Sequence, residues 1–186
     1  MAKVLVPLAE GSEEIEAVTV IDVLRRAGAE VTVASVMTTK SIKASRGVNL
    51  VADCLIADCL TTKWDLIVLP GGMPGAEYLA QNVQLIQLVR QQLQADKWLG
   101  AICAAPAVVL AQNQLIEHRR ATCHPAFQQK MMDCNVIVEQ NLVSMDSNLI
   151  TSQAPGTAMK FVITLVGCLF GVQKAEEVAL PMVLSD

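Results

Sequence analysis

The feature that most constrains this chain is an alternation of short apolar runs with amphipathic stretches. Lys3 to Leu8 is a mostly apolar run that ends in the loop Ala9-Glu10-Gly11-Ser12. Ser12 can cap a following helix whose first turn carries Glu13 and Glu14, where carboxylates complement the helix dipole and stay solvated. That helix shows Ile15, Val18, Ile21 and Leu24 at helical spacing and stops at Ala27-Gly28, after which Val31 to Ala34 opens a second strand. The same grammar returns in Leu66 to Leu69, then Pro70-Gly71-Gly72, a helix around Leu85 to Leu93, and the strand Leu99 to Ile102 feeding a helix from Ala104. Strands alternating with helices at this spacing predict an α/β fold: a mostly parallel central sheet with helices on both faces, and ligands outside the carboxyl ends of the strands. Pro70-Gly71-Gly72 and Cys103 both fall at that edge.

Between residues 120 and 152 the pattern changes to short segments, Val136 to Val138 and Leu142 to Ser144, which predict a small antiparallel excursion. Thr151 to Thr157 reads as a turn into a helix over Ala158 to Phe170, with a last helix at Lys174 to Val178. No repeat, linker or low-complexity tract interrupts the 186 residues, so residues 1–186 are expected to form one domain.

Several function classes drop out on composition. A formal net charge of −4 with no cluster of Lys or Arg provides no footprint for nucleic acid or an anionic membrane, so no sequence-specific nucleic-acid partner and no membrane are expected. The longest apolar stretch, Phe161 to Val172, is broken by Thr164 and two glycines and falls short of the roughly 20 residues of a bilayer span. The opening Met1 to Pro7 reads as a strand rather than a signal segment. Six cysteines (Cys54, Cys59, Cys103, Cys123, Cys134, Cys168) lie without Cys-x-x-Cys pairs, which fits free thiols in a reducing cytoplasm and predicts no bound metal.

One cysteine stands apart. In Leu99-Gly100-Ala101-Ile102-Cys103-Ala104-Ala105-Pro106, Cys103 sits between an apolar strand and a helix start, flanked by residues with almost no side chain. That arrangement is the cysteine counterpart of a nucleophile elbow, and a helix N-terminus favours thiolate over thiol, which predicts a lowered pKa. A buried, inert core cysteine fits the same spacing, because free cysteine is among the most buried residue types. Gly71-Gly72 admits two readings as well, a backbone N–H donor for an oxyanion or a plain strand-to-helix turn. Glu16 heads the helical column Val20, Val23, Ala27 and so suggests a partly buried carboxylate, yet Glu13 also heads an apolar column. Of the two histidines, His118 lies in the polar run Glu117 to Arg120 and looks like surface, whereas His124 follows a predicted strand and can reach the sheet edge.

Four motifs occur in order: Glu-Gly-Ser-Glu-Glu-Ile-Glu at 10–16, Leu-Pro-Gly-Gly at 69–72, Ala-Ile-Cys-Ala-Ala-Pro at 101–106 and Thr-Ser-Gln-Ala-Pro-Gly-Thr at 151–157. Together they resemble the ThiJ/PfpI superfamily, and within it the branch of the parkinsonism-associated deglycase in its bacterial form, from the first strand to the closing Pro181 to Asp186. The resemblance implies a flavodoxin-like sandwich, a homodimer, Cys103 as nucleophile and Glu16 as the carboxylate beside its sulfur. It implies oxyanion N–H groups from Gly72 and Ala104, a histidine near the cysteine at His124, and substrate or dimer-side contacts from Arg26, Arg46 and Pro155. Two departures stand out. Protease-like members carry a histidine directly after the nucleophile, but here that position is Ala104, so peptidase activity is not expected. At Gln153-Ala154 the parkinsonism-linked relatives tend to have Arg-Gly.

The expected activity is cysteine-dependent removal of reactive dicarbonyls without glutathione, or reversal of early glycation adducts of protein or nucleotide, with no organic cofactor. The alternative is an oxidative-stress sensor or holdase chaperone that uses oxidation of Cys103. A thiamine-biosynthetic role ranks last, since no Gly-rich phosphate loop is present.

Overall fold

A computed structural model describes residues 1–184, so Ser185 and Asp186 of the closing motif lie outside the described residues. Seven strands form the central sheet in the order β10-β11-β7-β6-β1-β2-β5. These are β1 (Lys3–Leu8), β2 (Glu30–Ser35), β5 (Cys54–Leu55), β6 (Leu66–Leu69), β7 (Trp98–Ile102), β10 (Val143–Asp146) and β11 (Leu149–Ser152). All neighbours pair in parallel except β10 with β11.

The uniform apolarity of the central strands follows from burial on both sides. In β1, Val4, Val6 and Leu8 enter one core layer while Leu5 enters the other, and β6 divides Leu66 and Val68 from Ile67 and Leu69 in the same way. The first layer is closed by α1 (Glu14–Arg26) through Val20, Val23 and Leu24, and by α5 (Ala158–Phe170) through Phe161, Val162 and Leu165. The second is closed by α2 (Gly75–Gln81) and α3 (Val83–Gln94), with Leu79, Leu85 and Val89 facing the strands. Phe161 is fully buried, and truncating such a side chain to alanine costs about 3–5 kcal/mol in transfer and cavity terms. Asn82 separates α2 from α3, and its side chain accepts the N–H of Leu85 at 2.9 Å. The two closing helices fall where the spacing places them, α5 at Ala158–Phe170 and α6 at Val172–Ala179.

Several local expectations are corrected. Glu13, not Ser12, caps α1: its Oε2 accepts the N–H of Glu16 at 2.8 Å, while Ser12 Oγ accepts the N–H of Ala9 at 3.0 Å and closes the preceding turn. Glu13 and Glu14 are buried rather than solvated, because a hairpin of β3 (Ser41–Lys43) and β4 (Asn49–Val51) folds its turn over the start of α1. Ser45 Oγ and the N–H of Arg46 in that turn donate to the Glu14 carboxylate at 2.7 and 2.8 Å. The excursion between residues 120 and 152 is only partly antiparallel. β8 (Arg120–Ala121) and β9 (Ile137–Val138) pair in parallel, with the short helix α4 (Gln128–Asp133) between them, and β11 joins the main sheet beside β7. After β7 no long helix begins at Ala104; the chain turns into six residues of π-type helix, Pro106–Ala111, all buried. Among the described residues, no helix is long and apolar enough to cross a membrane.

Candidate functional site

The carboxyl ends of β1, β6 and β7 meet at one edge of the sheet, and the loops that leave them build the site. Cys103 directly follows β7 in a left-handed conformation, φ 63°, which is uncommon for a residue with a side chain and clusters at functional sites. Two backbone bonds hold it there. Its N–H donates to the Ser152 carbonyl at 3.0 Å, and its own carbonyl accepts the N–H of His124 at 2.9 Å. The elbow expected from the small flanking residues is thus formed, with Cys103 half-buried and its sulfur side facing a cavity.

Glu16 reaches this point from the first turn of α1. It is fully buried, and its Oε2 accepts the N–H of Gly71 at 2.8 Å across 55 residues of sequence. The contact depends on Gly71 having no side chain: a Cβ there would sit 2.6 Å from Cβ of Cys103 and 3.0 Å from Glu16 Oε2. Gly72 adopts φ 87°, and a Cβ on it would meet the Gly11 carbonyl at 2.4 Å. Both glycines of the pair are therefore required by close approach and not only by a turn. The other oxygen of Glu16, Oε1, is buried with no hydrogen-bond partner, an expensive state for a carboxylate unless a proton or a neighbouring donor relieves it.

Burial raises the Glu16 carboxyl to about 7; the hydrogen bonds from Gly71 and Cys103 oppose the shift and the charge of Glu13 adds to it. Burial likewise pushes the Cys103 thiol up to about 12, with the charge and acceptor oxygen of Glu16 adding to the rise and the N–H groups of Gly72 and Ala104 acting against it. This corrects the expectation that a helix start lowers the thiol pKa, since the six-residue π-type turn begins beyond Ala104 and desolvation outweighs the two N–H donors. The two groups lie against each other, and the charge of Glu16 adds to the cost of forming the thiolate. Glu16 gives up its proton near 7, whereas the Cys103 thiol holds its own to about 12. A thiolate formed there is faced by the N–H groups of Gly72 and Ala104.

The cavity in front of the sulfur has a volume of about 520 Å³ and is lined by Cys103, Ala104, Gly72, His124, Arg46 and Pro155, together with Glu13, Ile15, Ser45, Met73 and Phe127. His124 thus comes to the site, where its Nδ1 accepts the N–H of Ala126 at 3.2 Å and its ring meets Phe127 edge-on at 6.1 Å. With Nδ1 so engaged, Nε2 is the nitrogen left for a ligand. The Glu14 carboxylate holds Arg46 in place through its backbone; burial works against ionisation there, but the Ser45 hydroxyl and the Arg46 and Val48 amides keep the carboxyl below its usual range. Arg26 is not brought to the cavity. It lies at the far end of α1, ten residues or about 15 Å of helix from Glu16, and pairs with Asp22 at 2.8 Å in an exposed i, i+4 bridge. The cavity residues missed in the sequence are Glu13, Ile15, Ser45, Met73 and Phe127. Glu13 and Ile15 lie within the first motif and Met73 follows the second, whereas Ser45 and Phe127 arrive through the β3–β4 hairpin and the Pro125–Phe127 turn, a meeting that no spacing in the chain signals. Among the described residues, no group of three or more His, Cys, Asp or Glu side chains is gathered as for a metal ion.

A flavodoxin-like α/β sandwich with a cysteine elbow and a buried carboxyl at the strand ends defines a class, and comparison with known proteins is consistent with it. The pattern of the DJ-1/PfpI family matches residues 2–167, and the chain belongs to that family. It is 45% identical over 182 residues to Protein DJ-1 homolog B of Arabidopsis thaliana, covering 98% of this chain but 41% of the relative, so it spans less than half of that protein's length. It is 34% identical over 184 residues to the glutathione-independent glyoxalase DJR-1.2 of Caenorhabditis elegans, covering 99% of this chain and 96% of the relative. The oxidized DJ-1 of Toxoplasma gondii superposes with a TM-score of 0.96 at 38% identity, each chain covered in full.

Proposed function

We propose that the chain is a cysteine-dependent enzyme that converts reactive dicarbonyls to 2-hydroxy acids without glutathione. The observation that carries this reading is the buried Glu16 carboxyl, one oxygen unpartnered, set against the Cys103 sulfur at the mouth of an open cavity. Sγ of Cys103 adds to the aldehyde carbon of a glyoxal, and the developing alkoxide is stabilised by the N–H groups of Gly72 and Ala104 before it takes a proton. Glu16 then removes the hydrogen from that carbon and returns a proton to the neighbouring one through an enediol, which turns the hemithioacetal into a thioester. Water cleaves the thioester, releasing the acid and the thiol. The sequence is redox-neutral overall, one water being consumed per dicarbonyl.

A carboxyl held near 7 suits this task, because it must accept and donate a proton in a single turnover at neutral pH. His124 lines the same cavity and is the rival proton carrier; Arg46 and Pro155 bound the substrate side. The same hemithioacetal chemistry would serve the reversal of early glycation adducts on protein or nucleotide side chains. The likeness to a protein named glutathione-independent glyoxalase supports the free dicarbonyl as the first substrate to test. A homodimer is part of the proposal: Ile15 and Val18 of α1 are 56% and 46% exposed beside the cavity, an apolar face that a second copy can cover. Proton NMR of methylglyoxal with the wild-type chain should show lactate forming in the absence of glutathione, and Cys103→Ser should form none. Product at wild-type rate from Cys103→Ser would overturn the reading, and light scattering that found only monomer mass at micromolar concentrations would remove the dimer.

A further inference from the structure

One border of the sheet holds a second pair of thiols that the proposed activity does not use. β5 is the edge strand, paired with β2 at Ala34↔Cys54 and Ser35↔Leu55. Directly after it the chain makes a tight turn, Ile56–Cys59, that brings Cys59 back against Cys54 with the two sulfurs 3.5 Å apart. Both ends of the turn are tied down. The N–H of Leu55 donates to Asp58 Oδ2 at 3.1 Å, and the indole N–H of the buried Trp64 donates to the Cys59 carbonyl at 3.3 Å. The Cys59 thiol itself points back along the turn, donating to the Leu55 carbonyl at 3.8 Å.

We propose that Cys54 and Cys59 form a reversible redox site, closed to an intramolecular disulfide by hydroperoxides and reopened by a dithiol reductant. Two sulfurs already in contact need to approach by only about 1.5 Å to reach the bonded length near 2.05 Å, a distance covered by side-chain rotation while the backbone ties hold. The two thiols differ in the way that such a reaction requires. Cys54 is half-exposed on the edge strand, whereas Cys59 is 2% exposed. Burial, with contributions from Cys54 and Asp58, pushes the Cys59 thiol up to about 12. Cys54 is therefore the sulfur that meets the oxidant. Having released its proton, Cys54 attacks one peroxide oxygen, the O–O bond breaks, a sulfenic acid forms, and the departing hydroxide or alkoxide takes up that proton as water or alcohol. Cys59 Sγ then attacks Cys54 Sγ, the S–O bond breaks, and the hydroxyl leaves as water with the Cys59 proton. Two thiols are oxidised by two electrons and one hydroperoxide is reduced.

This pair cannot exchange with Cys103 within the folded chain. β5 lies four strand spacings from β7, about 19 Å across the sheet. The proposal is independent of the dicarbonyl reaction and is tested with that cysteine removed.

Full-length Cys103→Ser protein is titrated with hydrogen peroxide and followed by intact mass, peptide mapping and tryptophan fluorescence. The expected result is a loss of about 2 Da, a linked peptide joining Cys54 to Cys59, and a fluorescence change from Trp64, all reversed by dithiothreitol. Adding Cys59→Ser should abolish the mass loss and leave Cys54 to gain oxygen instead. The proposal is overturned if both thiols remain free at a tenfold excess of peroxide, or if the linked peptide joins either cysteine to another thiol or to a second chain. Because the decisive reading is made with both cysteines present, a folding defect in the serine variant would not decide the matter.

Discussion

Cys103 and the Cys54–Cys59 pair are two thiol sites four strand spacings apart in one sheet, and their surroundings differ in kind. Around Cys103 stand a carboxyl and two backbone N–H groups facing the sulfur, and no second thiol lines its cavity. Around Cys54 stands another sulfur, and the nearby polar side chains of Asp58 and Trp64 bond to backbone rather than to the thiols. The first environment suits adding sulfur to an electrophile and holding the charge that results. The second suits losing two electrons and closing a bond. Cysteine chemistry is decided by what faces the sulfur, since the free thiol is the same group in both places.

The sharpest way to break this comparison is turnover. Cys103→Ser is expected to lower dicarbonyl conversion at least a hundredfold, about 3 kcal/mol of transition-state stabilisation, while Cys54→Ser and Cys59→Ser stay within about threefold of wild type. Product formation followed by NMR for the three variants is the measurement. Loss of activity in either edge variant, with the fold intact by circular dichroism, would merge the two sites into one.

Oxidation separates them next. Mild peroxide should carry Cys103 to sulfinic acid, because no resolving thiol lines its cavity, and Glu16→Leu should reduce that yield by removing a donor to the sulfur oxygens. Peptide mapping after titrated peroxide checks both statements. Equal sulfinate in wild type and Glu16→Leu would show that the carboxyl does not serve the cysteine.

The pH dependence of alkylation sharpens the role of Glu16. In wild type the rate at Cys103 should rise only well above the free-thiol value of about 8.5, because burial and the charge of Glu16 oppose the thiolate. In Glu16→Gln the midpoint should fall, because that charge is gone, yet stay above the free value, because burial still acts. Iodoacetamide kinetics on a variant retaining only Cys103 would reveal the shift. An unchanged midpoint would mean that the carboxyl does not act on the thiol.

The smallest expected effect is on stability. A carboxyl raised from 4.5 unfolded to about 7 folded binds more protons in the native state between those values, so its contribution is fully present below about 4.5 and is lost as pH rises through 7. Glu16→Gln should therefore be the more stable protein at pH 8, by at most about 3 kcal/mol, with the difference shrinking toward pH 5. Urea unfolding at the two pH values tests the sign.

Much of this was legible from the residues alone, and the limits fall at particular places. The parallel sheet, α1, α5 and the cysteine elbow follow from apolar runs, helical spacing and the small neighbours of Cys103, all of which act within a dozen residues. The same local reasoning assigned Ser12 as the cap of α1, left Glu13 and Glu14 in solvent and gave Cys103 a helix dipole. Glu13 and Glu14 are buried because the distant β3–β4 hairpin covers the start of α1, whereas Ser12 is taken by the neighbouring turn at Ala9 and the π-type turn begins only at Pro106. Arg26 was placed by the family resemblance alone, and it lies a helix length from the cavity. The six cysteines lacked Cys-x-x-Cys spacing, yet a tight turn after an edge strand puts Cys54 and Cys59 in contact. Sequence by itself determined the central strands β1, β2, β6 and β7, the helices α1, α3 and α5, and which cysteine sits at a strand end, because period and local sterics are short-range. Tertiary structure alone decided that the buried Glu16 carboxyl meets the Cys103 sulfur. Desolvation and charge pairing depend on what the rest of the chain brings within a few ångströms.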